Sequence, residues 1–231
     1  MSGKKKVSAV IVSAGNSSRM GGINKQFLEI GNMSVIARSI SVFQNCSLIN
    51  EIVVVTREND IKAIKDIVEK HKFSKVTAVV KGGETRQLSV YNGVKATSLD
   101  SDYVAIHDGA RPLVTEKVIK DTLSVAFDCG AATTGVKVKD TIKVVNENNE
   151  IIDTPDRSVM RAVQTPQIFA KDLYLNAVKS VPDSKNFTDD CMLIEAYGKT
   201  VEFVDGDYEN IKITTPEDVA LAESYLARRE K

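Results

Sequence analysis

The sequence lacks several features that would point to particular classes of protein. Lys and Arg total 31, and so do Asp and Glu, so there is no overall basic charge to favour nucleic acid as a partner. No apolar run approaches the roughly 20 residues of a membrane-spanning helix. The lysines at positions 4–6 are not followed by the long apolar segment of a secretory signal. We therefore expect neither a nucleic-acid partner nor a membrane-bound protein.

Cysteine is also scarce. Cys46, Cys129 and Cys191 are odd in number and widely spaced, which argues against a disulfide framework and against a zinc site. Reduced thiols are typical of a cytoplasmic protein. We expect each to be a small buried residue rather than a nucleophile.

Two familiar phosphate-binding motifs are missing as well. There is no Walker run of Gly, four residues and Gly-Lys-Ser/Thr, and the segment at Gly15 lacks the second glycine of a dinucleotide fingerprint. Instead, the apolar segment Val7–Val12 leads into a loop of small residues that contains Arg19 and is followed by Lys25. Small residues, backbone N–H groups and two cations suit a nucleoside triphosphate. An ordinary strand-to-helix loop with solvated cations is the alternative.

Apolar runs alternate with helical patterns along most of the chain. Predicted strands cover Val7–Val12, Glu51–Thr56, Val76–Val80, Tyr103–His107 and Thr200–Val204, with an extended segment at Ile211–Thr214. Predicted helices cover Ser34–Phe43, a stretch capped by Asp60, Thr85–Ala96, Leu173–Val178, Asp189–Tyr197 and a last helix that begins at Thr215-Pro216. This alternation predicts an α/β fold with a doubly wound, mostly parallel sheet. A length of 231 residues suits one domain over 1–231.

The middle of the chain breaks this alternation. Ala131–Val138, Thr141–Val145 and Ile151–Asp153 are β-like with no helix between them, and Asn146–Asn149 is a strong turn signal. The pattern predicts a β-hairpin arm over about 138–157 that protrudes from the sheet. A two-stranded ribbon is marginal alone in water, so we expect it to pack against a second subunit of a homodimer. Folding back onto its own sheet is the alternative.

Several motifs combine glycines, hydroxyls and charges at predicted strand ends, where ligands bind in open α/β sheets. In the segment 82–90, Gly83 and Ser89 could read a nucleobase or phosphate, although a helix cap explains Thr85 equally well. In the segment 107–112, a carboxylate that closes a strand is suited to a hard divalent cation bound together with phosphates. Asp108 could equally pair with Arg111, and His107 could be a base or a hydrogen-bonded structural residue. Weaker motifs lie at 139–143 with Arg157, 164–167, 188–190 and 210–215.

The ordered set SAGNSSRM, NKQ, GGETRQLSV, HDGARP, KDTIK, AVQTPQIF, TDD and NIKITTPED resembles the 2-C-methyl-D-erythritol 4-phosphate cytidylyltransferase family from about Val7 to Leu226. Ribitol-5-phosphate cytidylyltransferases share this scaffold but tend to carry Ser-Val between the Asp and Arg of HDGARP. A non-catalytic nucleotide-binding regulator on the same fold is a third possibility.

The resemblance implies a function, a Rossmann-like nucleotidyltransferase fold and a set of residue roles. A cytidylyl group would pass from CTP to 2-C-methyl-D-erythritol 4-phosphate, releasing pyrophosphate, in non-mevalonate isoprenoid precursor synthesis. It implies catalytic roles for Arg19, Lys25 and Lys212, and nucleotide binding by Ala14, Gly15, Gly83, Ser89 and Asp108, with Asp108 placing Mg²⁺ or another divalent cation. It implies acceptor recognition by Arg111, Thr141, Arg157, Thr165 and Thr188, with Thr141 and Arg157 supplied by the arm of a partner subunit in a homodimer.

Four residues depart from the family pattern. Ser13 stands where an alanine is common, Ser17 near a common glycine, and Asn24 where proline often precedes the lysine. These three put the detailed conformation of the phosphate loop in question. Glu209 replaces a common aspartate, which leaves open any metal role for that position.

Overall fold

The computed structural model describes residues 5–15, 24–181 and 187–229. The described strands are β1 Val7–Val12, β2 Glu29–Ile30, β3 Met33–Ser34, β4 Glu51–Thr56, β5 Val76–Lys81, β6 Tyr103–Asp108, β7 Ala131–Lys137, β8 Val144–Val145, β9 Ile151–Asp153, β10 Arg161–Ala170 and β11 Glu202–Asp205. The helices are α1 Val35–Asn45, α2 Ile61–Lys70, α3 Arg86–Lys95, α4 Glu116–Cys129, α5 Lys171–Ser180, α6 Asp190–Ala196 and α7 Pro216–Arg229.

Seven strands form one central sheet in the order β11-β7-β10-β6-β1-β4-β5. All neighbouring pairs are parallel except those of β10, which runs antiparallel to both β6 and β7. Alternate residues of β1 enter two different buried clusters, Ile11 with α1 and α4, and Val10 with α3 and α5. Because successive strand residues point to opposite faces, helices cover the sheet on both sides. The α/β prediction with a mostly parallel sheet is confirmed.

The chain reverses its direction of winding beside β1. From β1 it proceeds outward through β4 to β5 and then returns to place β6 on the other side of β1. The register pairs Val12 with Asp108, so the carboxyl ends of β1 and β6 lie side by side. A crevice at such a reversal is where open α/β sheets bind ligands.

The sequence did not predict β10, α4 or the short strands β2 and β3. β10 contains Pro166, which argues against an interior strand, and its pairing with β7 shifts register between Val163 and Gln167 to accommodate the proline. The helix α4 begins at a Thr115 cap and ends at Gly130 in a left-handed conformation. The predicted extended segment Ile211–Thr214 is not a strand, and Thr141–Val145 is one only at Val144 and Val145.

The arm is present as an antiparallel pair of its own. β8 pairs with β9 in a separate two-stranded sheet, and neither strand pairs with the described strands of the central sheet. The Asn146 carboxamide oxygen accepts from the backbone N–H groups of Asn148 and Glu150, which closes the turn. Along the described parts of the chain, no helix is long and apolar enough to cross a membrane.

Candidate active site

An open cavity of about 560 Å³ lies over the carboxyl ends of β1, β4 and β6. Its walls include seven of the predicted site residues, namely Ala14, Gly15, Lys25, Gly83, Ser89, Asp108 and Lys212. They come from five separate stretches of the chain. The fold therefore gathers the predicted nucleotide site in one place.

The floor of the cavity is formed by loops that hydrogen-bond to neighbouring strands. The Ser13 backbone N–H and hydroxyl both donate to the Val55 carbonyl, at 2.7 and 2.8 Å. The Gly109 N–H donates to the Val12 carbonyl at 2.8 Å. The hydroxyl that distinguishes Ser13 from the common alanine is thus buried and bonded to the sheet. Serine at this position therefore keeps the loop that follows β1 hydrogen-bonded to the end of β4.

Gly82 lies so close to the segment after β1, and Gly83 so close to α3, that side chains would not fit at either position. A Cβ on Gly82 would lie 2.5 Å from the Ala14 Cβ, and one on Gly83 would lie 2.4 Å from the Leu88 Cβ. The Ser89 hydroxyl accepts from the Gly83 N–H at 3.0 Å and donates to the Thr85 carbonyl at 2.9 Å. Thr85 itself caps α3 by accepting from the Leu88 N–H. Ser89 therefore holds the turn that brings backbone into the cavity.

Two lysines far apart in sequence meet at this cavity. The Lys25 ammonium donates to the carbonyl of Ile213 at 2.8 Å, which places it beside the residue that follows Lys212. The Lys212 ammonium lies 2.7 Å from the Asp108 carboxylate. A 3-10 turn, Lys25–Phe27, presents the first lysine. The two cations therefore share one wall with the one carboxylate expected to bind a cation.

Asp108 is paired with cations other than Arg111. Its Oδ2 faces Lys212, and its Oδ1 lies 3.6 Å from the Arg86 guanidinium. Burial would raise the pKa of Asp108, but Lys212 and Arg86 outweigh burial and hold that pKa below its usual value. The Arg111 guanidinium instead donates to the Asn210 carbonyl at 2.7 Å, which ties its loop to the segment that carries Lys212.

His107 is a structural residue, as one of the two sequence interpretations held. It is fully buried, its Nε2 lies 3.1 Å from the Arg111 carbonyl, and its Nδ1 lies 3.0 Å from the Thr165 hydroxyl. Since the carbonyl can only accept, Nε2 carries the proton, and the Thr165 hydroxyl donates to Nδ1. Burial lowers the pKa of His107 to about 4. The ring is therefore neutral at pH 7 and has no exposed nitrogen for proton transfer.

The Thr165 hydroxyl also accepts from the Asp108 N–H at 3.0 Å. The residue is buried, and the Asn210 carboxamide donates to its carbonyl at 3.0 Å. Thr165 is thus tied to both Asp108 and the Lys212 segment. Its direct contact with an acceptor stays a prediction.

Three carboxylates line the cavity, those of Glu58, Glu84 and Asp108, and Asp108 is the one predicted to bind a divalent cation. Nowhere in 5–15, 24–181 or 187–229 do three His, Cys, Asp or Glu side chains gather to hold a metal ion. Asp108, an ionised carboxylate on the cavity wall, fits a cation whose other ligands are substrate phosphates and water, as Mg²⁺ prefers.

The other predicted residues lie elsewhere. Thr188 is exposed just before α6, with its hydroxyl 3.2 Å from the Met192 sulfur. Thr141 and Arg157 are exposed on the arm, where the Arg157 guanidinium donates to the Lys139 carbonyl at 2.8 Å. None of the three is part of the cavity wall. Arg19 and Ser17 fall outside the residues that the structure describes.

The remaining two departures have structural explanations. The Asn24 side chain accepts from the Gln26 N–H at 3.3 Å and donates to Asp60 at 3.0 Å, so it caps the turn of Lys25. Asp60 precedes α2 as predicted, but its carboxylate binds Arg57 and Asn24 instead of capping the helix. The Glu209 carboxylate bonds Arg228 and Arg229 of α7 at 2.8 Å each, so this side chain anchors a helix.

Sequence reasoning gave no role to several charged or polar residues that line the cavity, which are Gln26, Arg57, Glu58, Lys81, Glu84 and Arg86. Arg86 belongs to a motif that the sequence did single out, GGETR, but its partners are distant in sequence. The Arg86 guanidinium lies 2.7 Å from Asp190, which is 104 residues away. Only the fold shows this pairing.

Comparison with known proteins agrees with this geometry. The family model described as "IspD: 2-C-methyl-D-erythritol 4-phosphate cytidylyltransferase" matches residues 7–228. Curated proteins of that name are similar to this chain: one from Caldanaerobacter subterraneus subsp. tengcongensis is 48% identical, covering 96% of this chain and 99% of its own length. One from Alkaliphilus oremlandii is 46% identical, covering 98% and 97%.

Solved structures are similar over nearly the same span. The 4-diphosphocytidyl-2C-methyl-D-erythritol synthase of Anaerococcus prevotii has a TM-score of 0.87 at 35% identity, with 97% of each chain covered. The 2-C-methyl-D-erythritol 4-phosphate cytidylyltransferase of Thermus thermophilus has a TM-score of 0.78 at 31% identity, covering 96% of this chain and 99% of the other. On sequence and fold together, this chain belongs to the 2-C-methyl-D-erythritol 4-phosphate cytidylyltransferase family.

Proposed function

We propose that this protein transfers the cytidylyl group of CTP to 2-C-methyl-D-erythritol 4-phosphate and releases pyrophosphate, a step of isoprenoid precursor synthesis. The observation that carries this function is the meeting of Lys25 and Lys212 at one cavity beside Asp108. Family membership over residues 7–228 supports the choice of nucleotide and acceptor.

The chemistry requires charge stabilisation and no general base. A phosphate oxygen of the acceptor attacks the α-phosphorus of CTP, and the bond to the pyrophosphate oxygen breaks. The nucleophile is already ionised at pH 7, which accords with a site whose nearby histidine is buried and neutral. Lys25 and Lys212 would offset the repulsion between two anions and stabilise the charge that gathers on the α-phosphoryl oxygens. Arg19 is proposed to add a third cation.

Nucleotide binding is proposed to use the backbone at Ala14, Gly15 and Gly83, with Ser89 holding the Gly83 turn. A divalent cation, when bound, would neutralise part of the triphosphate charge, with Asp108 as its protein ligand. The Lys212 ammonium faces the same carboxylate, so this lysine would help to hold Asp108 and the phosphates together.

Acceptor recognition is proposed to involve Arg111, Thr165 and Thr188 of one subunit with Thr141 and Arg157 of the partner subunit. The apolar side chains of the arm support a homodimer. Ile151 and Ile152 are each 62% exposed and Val145 is 49% exposed. Apolar side chains grouped on a two-stranded ribbon favour burial against another chain.

We further propose that the chain acts as a single domain, 1–231, in the cytoplasm. One continuous central sheet and the buried thiols of Cys46 and Cys191 support these two proposals.

The function is tested by measuring pyrophosphate release from CTP with either 2-C-methyl-D-erythritol 4-phosphate or ribitol 5-phosphate. We expect release with the first acceptor in Mg²⁺, at least tenfold slower release with the second, and loss of release in excess EDTA. Preference for ribitol 5-phosphate would overturn the assignment of the acceptor. No release with either acceptor, while CTP still binds, would support a nucleotide-binding regulator instead.

A further inference from the structure

Arg86, the first residue of α3, places its guanidinium between two carboxylates. Its Nη1 lies 2.7 Å from Asp190 Oδ2, and its Nη2 lies 3.6 Å from Asp108 Oδ1. The side chain is about one quarter exposed and lines the cavity. A planar fork of N–H donors can face two acceptors at once, which a lysine cannot do in the same way.

Asp190, the first residue of α6, lies behind Arg86 and is almost entirely buried, with 2% of its side chain exposed. Its Oδ1 lies 3.4 Å from the Tyr174 hydroxyl, and its backbone N–H donates to Gln167 Oε1 at 2.9 Å. Burial raises the pKa of Asp190, although Arg86 opposes this rise. A carboxylate this far from water needs a paired cation, and the Arg86 guanidinium is the one bonded to it.

The Arg86–Asp190 pair joins two parts of the site, one proposed to bind the nucleotide and the other proposed to bind the acceptor. Arg86 follows the Gly82–Gly83 turn and lies on the same helix as Ser89, on the nucleotide side. Asp190 comes two residues after Thr188, which is assigned to the acceptor side. Asp108 is the second carboxylate that Arg86 faces, and it is also paired with Lys212.

We propose that Arg86, held by the buried carboxylate of Asp190, is a positioning residue that fixes Asp108 and couples the nucleotide side of the site to the acceptor side. This inference rests on the proposed function. In this arrangement Asp190 affects catalysis through Arg86 alone and does not touch substrate.

A double-mutant cycle tests this claim with Arg86→Gln, Asp190→Asn and the double variant. CTP affinity is measured by calorimetry without acceptor, and kcat/KM is measured for both substrates. We expect each single change to weaken CTP binding and to lower kcat/KM by about 10- to 100-fold, the range for residues that orient a ligand-binding side chain. The double variant should be no worse than Arg86→Gln, because Asp190 then has no guanidinium to hold.

The matched control is Glu195→Gln, which removes an exposed carboxylate from the same helix α6 and should leave CTP affinity and kcat/KM unchanged. Effects that multiply in the double variant, or an Asp190→Asn chain with wild-type CTP affinity, would overturn the proposal. If the wild-type chain releases no pyrophosphate, the proposed function is overturned. The CTP affinities of the three variants would still test whether Asp190 acts on the nucleotide side through Arg86.

Arg86→Lys separates positioning from stability and decides the matter if Asp190→Asn does not fold. The lysine keeps a charge beside Asp190, so we expect a melting temperature near that of the wild type. Its single ammonium cannot hold both carboxylates, so kcat/KM should still fall about tenfold or more. A variant that is both stable and fully active would show that the pair is only structural.

Discussion

At the scale of single residues, the proposed chemistry depends on Lys25 and Lys212, which the sequence separates and the fold brings together. We expect Lys25→Ala and Lys212→Ala each to lower kcat by on the order of 10²-fold, as for other preorganised charge stabilisers. Steady-state pyrophosphate release measures this. The control is Lys120→Ala, since Lys120 pairs with Glu116 on the surface of α4. Near-normal kcat in both cavity variants would contradict the mechanism.

The three cysteines differ sharply in environment, contrary to the expectation that all are buried. Cys46 and Cys191 are buried and Cys129 is exposed, and burial raises the pKa of the Cys191 thiol. Because only the thiolate reacts, we expect one fast-reacting thiol in the native protein and three after denaturation. Titration with a thiol-specific chromogenic reagent counts them. Cys129→Ser should remove the fast phase, and a fast phase that persists would contradict this assignment.

At this scale the sequence predicted residue types better than their partners. It identified Asp108 and Lys212 but could not show that they face each other 2.7 Å apart, since the two residues are far apart in sequence. It left His107 open between two roles, which only its burial and two hydrogen bonds decide. Local patterns identify groups capable of chemistry, whereas pairing is set by tertiary packing.

At the scale of elements, the 3-10 turn that presents Lys25 is held by Asn24. The backbone of Asn24 has φ −75°, a value that proline also adopts. A proline ring would fix this backbone angle, and in this chain the side-chain hydrogen bonds of Asn24 to Gln26 and Asp60 hold the turn instead. We expect Asn24→Ala to lower kcat/KM several-fold and Asn24→Pro to keep it closer to the wild type. Kinetics of the two variants test this. An alanine variant as active as the wild type would show that the turn needs no anchor.

The start of α7 is organised by Asp218. Its carboxylate accepts from the N–H groups of Thr214 and Thr215 and from the Thr214 hydroxyl, at 2.7 to 2.8 Å. Loss of such a cap costs about 1 kcal/mol, so Asp218→Ala should lower the free energy of unfolding by about that amount at pH 7.

The pH dependence of this cap has a definite sign. Burial would raise the pKa of Asp218, but the bonds to Thr214 and Thr215 outweigh it and lower that pKa. The unfolded chain therefore takes up the proton first as the pH falls, and the stabilisation, complete above the usual aspartate pKa, is lost at lower pH. The difference between wild type and Asp218→Ala in urea unfolding should shrink below about pH 4. A difference that does not depend on pH would refute this.

Elements were predictable where pattern and burial agreed. β1 and β4 have the predicted bounds because their runs are rich in apolar or β-branched residues and nearly all of these residues are buried. β10 was not predicted because Pro166 and two glutamines interrupt its apolar pattern, although the strand lies between β6 and β7. The buried polar residues of β10, which are Gln164, Thr165 and Gln167, form hydrogen bonds at the site. A strand with these residues inside does not show the apolar pattern by which a buried strand is predicted.

At the scale of the whole molecule, the proposal that two subunits share each active site makes a prediction about mixed dimers. Lys212→Ala removes a cation from the cavity of its own subunit, and Arg157→Ala removes a residue that is proposed to serve the partner subunit. Co-expression of the two variants should restore about a quarter of wild-type activity, since random pairing makes half of the dimers mixed and each mixed dimer has one intact site of two. Each variant alone should be nearly inactive. Mixed dimers without activity would show that the arm serves its own subunit.

The order of strands has a consequence for how the protein is made. β5, β4, β1 and β6 are neighbours drawn from the first 108 residues, joined by local crossovers. The chain is synthesised from its N-terminus, and proteins rich in local contacts fold fastest. We expect β1, β4, β5 and β6, whose ends form much of the proposed nucleotide site, to associate on the ribosome before β10 is added beside β6. A nascent chain would then recognise CTP before it acquires Lys212, so affinity for the nucleotide would precede the capacity to turn it over.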